Sequence, residues 1–260
     1  MMKRILFCFY AILISTIILF VLIQFNKNKP IHILRKLDLQ NKLLLEPKIM
    51  ILRVDYLGLL PVGEAKLENK GEQILEGRKI YNLSGQASVL EIFSKFFNAR
   101  AQINSYIDKE KMHTLKFTQT LIIPDKPKEE KEILYNQNNN IMELRGIKRQ
   151  ILPDTQDPLS ALFYIQHQPL KVNREFDINI NTNQKNYRLY VKVIKKEEYN
   201  LAGRQTGIWV LQGDIARRDK NPFHKSQMTL WLLDNPYKTP ILAKIMTNGG
   251  LITARLINIE

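Results

Sequence analysis

Cysteine is almost absent: the 260 residues hold one, Cys8, inside an N-terminal apolar run. No intramolecular disulfide and no thiolate metal site can form within the chain. The redox compartment stays open, because many exported proteins carry no disulfide. Histidine is scarce as well. His32, His113, His167 and His224 stand far apart, none with a partner at metal-ligand spacing, so each reads as a surface residue. Glycine-rich phosphate loops, the G-x-S-x-G elbow, the H-E-x-x-H helix and the calcium-loop pattern are all missing. No internal repeat and no Gly/Ser- or Pro-rich linker divides the chain, and like charges never gather in blocks of five or six. No metal and no cofactor is expected.

What the chain does have is ordinary apolar content, 45%, and ordinary charge density, 25%, which exclude wholesale disorder. The formal charge is +14. Such an excess suits an anionic partner such as lipid headgroups, acidic glycans or nucleic acid. Lysines scattered over a solvated face are the preferred account of it.

The N-terminus carries the strongest single signal. Residues 5–25 read ILFCFYAILISTIILFVLIQF, without a charge and with Ser15, Thr16 and Gln24 as the polar breaks. A bilayer core needs about 20 apolar residues of helix, so the run is long enough to span. A buried core helix is rarely apolar on all faces for such a length. A cleaved signal peptide wants small residues at its end, whereas Ile23, Gln24 and Phe25 are bulky. The run is therefore read as an uncleaved signal anchor. Lys3 and Arg4 precede it, and Lys27, Lys29, Arg35 and Lys36 follow it, so the positive-inside count favours neither side. The short tail argues for a single-pass protein of a bacterial inner membrane, with the large domain in the periplasm or otherwise outside the cytoplasm. Nucleic acid is then not expected as a partner.

The expected organisation is a tail over 1–4, the anchor over 5–25, a basic juxtamembrane linker over 26–46 and one β-rich domain over 47–260. Beyond Pro47 the apolar pattern turns to period two. Phe176, Ile178 and Ile180 alternate with Asp177, Asn179 and Asn181, and Tyr187, Leu189, Val191 and Val193 repeat the pattern after a turn at 183–186. Further strands are predicted over 48–57, 62–67, 78–85, 116–123, 130–135, 141–148, 207–216, 227–233, 240–247 and 251–259. Asn136–Asn140 and Asn248-Gly249-Gly250 supply hairpin chemistry, since Asn and Gly tolerate positive φ. Residues 88–97 and, more strongly, 157–168 read as helices. In the second, Asp157 suits the N-cap, Pro158 the first helical position, and Leu159, Leu162 and Phe163 make an apolar stripe. The fold class is mainly β: a single curved antiparallel sheet, a barrel or half-barrel meander, with one or two helices, preceded by one transmembrane helix.

The stretch Asp157-Pro158-Leu159-Ser160-Ala161-Leu162-Phe163-Tyr164 resembles a signature of the bacterial envelope family known as domain of unknown function 3108. Gly203, then Trp231 with Asp234 and Pro240, then Gly250 leading into Ala254 and Leu256, follow in the same order. Val54 to Gly58 and Gly63 to Ala65 fit more loosely. The resemblance implies an exported domain of one curved antiparallel sheet and assigns no reaction. Gln166 departs from it, standing where arginine is expected, and so does Leu233, where a small polar residue is expected.

Asp157 and Ser160 admit two readings. In one, Ser160 is a nucleophile oriented by Asp157. In the other, Asp157 caps the helix by accepting the amide of residue 160, and its removal costs about 1 kcal/mol. No histidine or lysine stands in sequence to activate the serine, so the cap is preferred. Acidic pairs such as Asp125 with Glu129 and Glu130, or Glu197 with Glu198, sit beside lysines and select no glycosidase site. The expected function is a membrane-tethered envelope binding or assembly module without catalysis. It would hold a lipid or other apolar ligand between the helix and the sheet, against Leu159, Leu162, Phe163, Tyr164 and Trp231. The alternatives are a structural domain docking an envelope protein partner and, less favoured, a hydrolase of envelope polymers.

Overall fold

The computed structural model describes residues 47–94, 98–182, 184–201, 204–218, 225–247 and 249–260. The apolar run 5–25, the linker, Gly203 and Asn248 lie outside them. No helix among the described residues is long and apolar enough to cross a membrane.

Among the described residues, fourteen strands form one antiparallel sheet. β1 (Ile49–Tyr56), β2 (Leu60–Leu75), β3 (Arg78–Val89), β4 (Arg100–Asp108), β5 (Thr114–Ile122), β6 (Glu129–Asn136), β7 (Ile141–Leu144) and β8 (Ile147–Gln150) follow one another as a meander. After a helical connection come β9 (Glu175–Thr182), β10 (Lys185–Leu201), β11 (Arg204–Arg217), β12 (Lys225–Leu233), β13 (Pro240–Thr247) and β14 (Gly250–Ile259). β14 pairs with β1, so two consecutive meanders join into one sheet whose edges are β8 and β9. Ile49 and Glu260 exchange both backbone hydrogen bonds, at 3.0 and 2.9 Å, and this ties the two ends of the sheet's middle together.

The two edges meet through the chain between them. Gln156 donates to the Asn179 carbonyl and accepts from the Asn181 amide, each at 2.8 Å, making a parallel bridge along the outer edge of β9. A run of polar contacts continues the closure. Asn179 Nδ2 donates to the Pro153 carbonyl, Asn186 Nδ2 to the Gln150 carbonyl, and Arg149 Nε to Gln184 Oε1. An unpaired strand edge invites edge-to-edge association, and this segment covers much of it.

Helices contribute little length. α1 (Glu91–Ser94) is one turn. α2 (Pro158–His167) lies against both halves of the sheet. Leu159 and Phe163 enter a cluster with Leu83 and Ile107, whereas Ala161 and Ile165 enter another with Ile178, Ile180, Leu189 and Val191. Burying opposite flanks of one helix in this way holds the halves together, since each fully buried large apolar side chain contributes roughly 1.5–3 kcal/mol.

Several expectations are corrected. Residues 100–108 form a strand that the period-two pattern did not yield. The stretch 141–148 is not one strand but two, β7 and β8, reversed at Arg145 and Gly146, whose φ values of 52° and 78° fit a two-residue hairpin turn. Of the predicted helix 88–97, Ser88 and Val89 belong to β3 and only Glu91–Ser94 is helical among the described residues. The single antiparallel sheet expected as a barrel or half-barrel is present, as one open sheet of 14 strands among the described residues.

Candidate functional site

The start of α2 is the most polar place in the interior. Asp157, at φ −86° and ψ 170°, is the N-cap, and its Oδ1 accepts from the amides of Leu159 at 2.8 Å and Ser160 at 3.1 Å. Ser160 Oγ in turn accepts from the Asp157 amide at 2.9 Å, completing a capping box. The other carboxylate oxygen, Oδ2, takes the hydroxyls of Ser105 and, at 2.9 Å, Thr114. Thr114 has one proton and gives it to the carboxylate. The Thr114 and Ser160 hydroxyls lie 2.7 Å apart, and the Ser160 hydroxyl also reaches the Asp157 carbonyl oxygen at 3.0 Å. All four residues are fully buried. Burial drives the Asp157 carboxyl above its ordinary value, against the lowering effect of the four donors. Gln137 staples the approach from outside by donating to the carbonyls of Thr114 and Thr155.

Ser160 has no base. Its hydroxyl donates within the cap, to Thr114 Oγ1 or to the Asp157 carbonyl oxygen, no carboxylate oxygen among the described residues accepts it, and the described histidines are occupied elsewhere. His113 meets Asp154 at 3.1 Å, and His167 Nδ1 meets the Phe163 carbonyl at 2.8 Å. Among the described residues no three His, Cys, Asp or Glu side chains converge as a metal site.

The residues expected to hold an apolar ligand separate into three places. Leu159 and Phe163 are buried, and the Phe163 ring packs at 5.2 Å from Tyr81 and 4.2 Å from His167. Leu162 and Tyr164 lie partly buried against the cluster of β9–β12. Trp231 is remote from both. It packs on a cluster containing Met50, Leu52, Ile208 and Leu242, with Lys244 Nζ 5.4 Å over its ring, while its neighbours Leu230 and Leu232 face the helix side.

Other signature positions are structural in setting. Asp234 accepts from Trp209 Nε1 at 2.8 Å and pairs with Lys196 at 2.5 Å, which holds its carboxyl below the usual range. Pro240 opens β13, and Gly250 takes φ +114° at the last hairpin. Gln166 donates to the carbonyls of Tyr237 and Lys238, and Lys238 Nζ returns a bond to the Gln166 carbonyl, so the uncharged side chain clasps α2 to the β12–β13 turn.

A broad open groove of about 810 Å³ crosses β1–β5 beside α1. Lys66, Gln86, Gln102 and Thr120 stand in cross-strand register along it, with Ser88 and Arg100 in the next row. Both charge signs occur, since Glu64 and Glu91 also line it. Sequence reasoning missed this surface because β4, which supplies Arg100 and Gln102, was not recognised. Ala101, Ile103 and Ile107 do alternate there, but Ser105, buried against Asp157, interrupts the apolar series.

The fold has solved relatives. A β-barrel-like protein of the domain of unknown function DUF1849 from Brucella abortus matches with TM-score 0.55 at 11% identity, over 82% of this chain and 97% of that one. A DUF1089 family protein from Pseudomonas aeruginosa gives TM-score 0.36 at 10% identity, over 68% and 87%. A protein described as a candidate exported protein with a YmcC-like fold, from Bacteroides fragilis, gives 0.36 at 8%, over 83% and 96%. The first shares the fold, and the other two are too distant to establish that. No curated protein matches in sequence. The model of one family, described as protein of unknown function DUF3108, matches residues 52–257, nearly the whole β-rich region. The chain belongs to that family.

Proposed function

We propose that this chain is a non-catalytic interaction module of the bacterial cell envelope, held by its N-terminal apolar run with the β-rich domain outside the cytoplasm. The tether rests on the length and uncharged character of residues 5–25. The absence of catalysis rests on Asp157 and Ser160, whose hydrogen bonds are consumed by the cap in a place no substrate reaches.

The observation that carries the interaction reading is the contrast between the interior and the groove. A carrier of lipid needs room beneath α2, and Leu159 and Phe163, each 8% exposed, occupy that room together with Leu83 and Ile107. The groove across β1–β5 is open and presents amides, hydroxyls and both charge signs. Its apolar residues, Ile51, Ala65, Ala87, Val89, Ala101 and Ile122, could cover a lipid tail, but the tail would leave the amides and both charge signs without partners. A polypeptide segment of mixed charge satisfies them, because it brings donors, acceptors and counter-charges in extended form. The partner is therefore read as an envelope protein.

Site-specific photo-crosslinking in living cells tests this. A photoreactive side chain at Gln102, inside the groove, should yield a discrete protein adduct that the same group at Lys148, on β8, does not. Arg100→Glu should remove the adduct without lowering the amount of folded chain. Equal adducts from both positions, or an adduct indifferent to Arg100→Glu, would overturn the reading.

A further inference from the structure

Asn181 breaks the alternation of β9. Ile178 and Ile180 face the helix-side core, and the polar residues between them belong on the other face, yet Asn181 is 1% exposed. On that face the strand is covered by the chain leaving β8, through Asn179 to Pro153 and Asn186 to Gln150. Where the two ends of the sheet overlap there is a pocket of about 90 Å³. Phe117, Ile133, Leu144 and Tyr135 form its buried lining, and half-buried Gln119 and Lys131 stand at its rim.

Two buried polar atoms of the lining have no partner among the described residues: the Tyr135 hydroxyl and Asn181 Oδ1. The orientation of the Asn181 amide follows from its neighbours. The Gln150 carbonyl can only accept, so Asn186 presents Nδ2 to it at 3.0 Å and Oδ1 to Asn181. Asn181 must then donate through Nδ2, at 2.8 Å, which leaves its oxygen as the group still to be satisfied. A buried hydroxyl without a partner is costly, and phenylalanine would fill the position of Tyr135 without that cost. The two atoms set one donor and one acceptor beside the buried apolar residues of the wall, with Thr182 and Gln184 joining Gln119 and Lys131 as the other polar residues of the lining.

Charge excludes the simplest alternatives. Burial holds the Tyr135 hydroxyl in its protonated form, with the Asp157 charge adding to the effect, and the same burial disfavours any ion placed beside it. At the rim Lys131 is paired with Glu129 at 3.0 Å, so it offers an anion no net charge. We propose that this pocket binds a small uncharged molecule through a carboxamide or hydroxyl group, which accepts from Tyr135 and donates to Asn181 Oδ1. The space equals roughly three waters of the liquid, enough for a molecule of about four non-hydrogen atoms. The proposal stands apart from the groove and does not depend on it.

Saturation-transfer NMR on the full chain in detergent micelles tests it with three probes of one shape. Acetamide can accept and donate, acetone can only accept, and acetate is charged. Acetamide should receive saturation, with acetone and acetate roughly five- to tenfold weaker at matched concentration. Tyr135→Phe should weaken the acetamide signal by a similar factor and leave the melting temperature unchanged or raised, because the hydroxyl has no protein partner to lose. Acetamide no better than acetone means a pocket for water alone and overturns the proposal. So does an acetamide signal that survives in Tyr135→Phe. If that variant does not fold, the ranking of the three probes on the unaltered chain decides by itself.

Discussion

Replacing Asp157 separates its structural work from any other role. Asp157→Ala removes the acceptor for the Leu159 and Ser160 amides and for the Ser105 and Thr114 hydroxyls. Thr114 and Ser160 can still bond to each other, but the two amides and Ser105 are left buried without that acceptor. Loss of a cap costs about 1 kcal/mol, and each orphaned buried donor roughly 1–3 kcal/mol, partly offset because a buried charge is also removed. The expected loss is about 3 kcal/mol, more than the cap alone implies. Asp157→Asn keeps a good capping oxygen and an amide that the two hydroxyls can turn to meet, so it should cost less than about 1 kcal/mol. The pH dependence gives a second, independent readout. The Asp157 carboxyl is raised above 3.8 in the folded chain, so protonation favours folding. Its contribution to stability is fully present below that ordinary value and is lost as pH rises through the folded value. Asp157→Asn should flatten that decline. Urea unfolding followed by the fluorescence of Trp209 and Trp231, at a series of pH values, measures all of this. If Asn proves as damaging as Ala, or if the pH profile is the same in wild type and Asp157→Asn, the reasoning fails. An Asp157→Ala variant of wild-type stability that loses its partner adduct would restore a functional role for the residue.

Three further outcomes follow from the same structure. Gly250→Val should prevent or gravely weaken folding, since φ is +114° and an added Cβ would lie 3.0 Å from the Tyr56 hydroxyl. Gly249→Val, whose Cβ would meet Thr247 Oγ1 at 3.5 Å, should change the melting temperature little. Phe163→Ala should cost about 3–5 kcal/mol in the same urea assay, because the ring is buried between Tyr81 and His167; a loss under 1 kcal/mol would show that it is not core. A C-terminal reporter that works only outside the cytoplasm should be active on the full chain, and activity of a cytoplasm-only reporter would reverse the topology.

The sequence exposed the parts of this fold that obey one rule at a time. The start of α2 was legible to the residue because Asp157, Pro158 and Ser160 each satisfy a local requirement of helix geometry. The strands around Ile178 and Leu189 were legible because one face is core and the other is water. Legibility failed where a polar residue is buried by distant chain. Ser105 points inward at the cap, so β4 lost its apolar rhythm, and Asn181 is covered by the chain leaving β8. Neither fact is local. The Arg145-Gly146 reversal did carry a signal, an X-Gly pair between short apolar runs, that a longer strand reading overrode. Placing Trp231 beside the helix failed for a different reason. Period two assigns a face relative to neighbours, and Leu230 and Leu232 are the residues that face α2, leaving Trp231 to the other side.

Native mass spectrometry of the full chain released from detergent tests the interaction reading most directly. A solid core beneath α2 predicts that the chain leaves the micelle at its own mass or joined to a protein partner, with no lipid retained in stoichiometric amount. A lipid held one-to-one through release, and lost in Phe163→Ala, would contradict the reading and return the helix-side interior to the role of a ligand cavity.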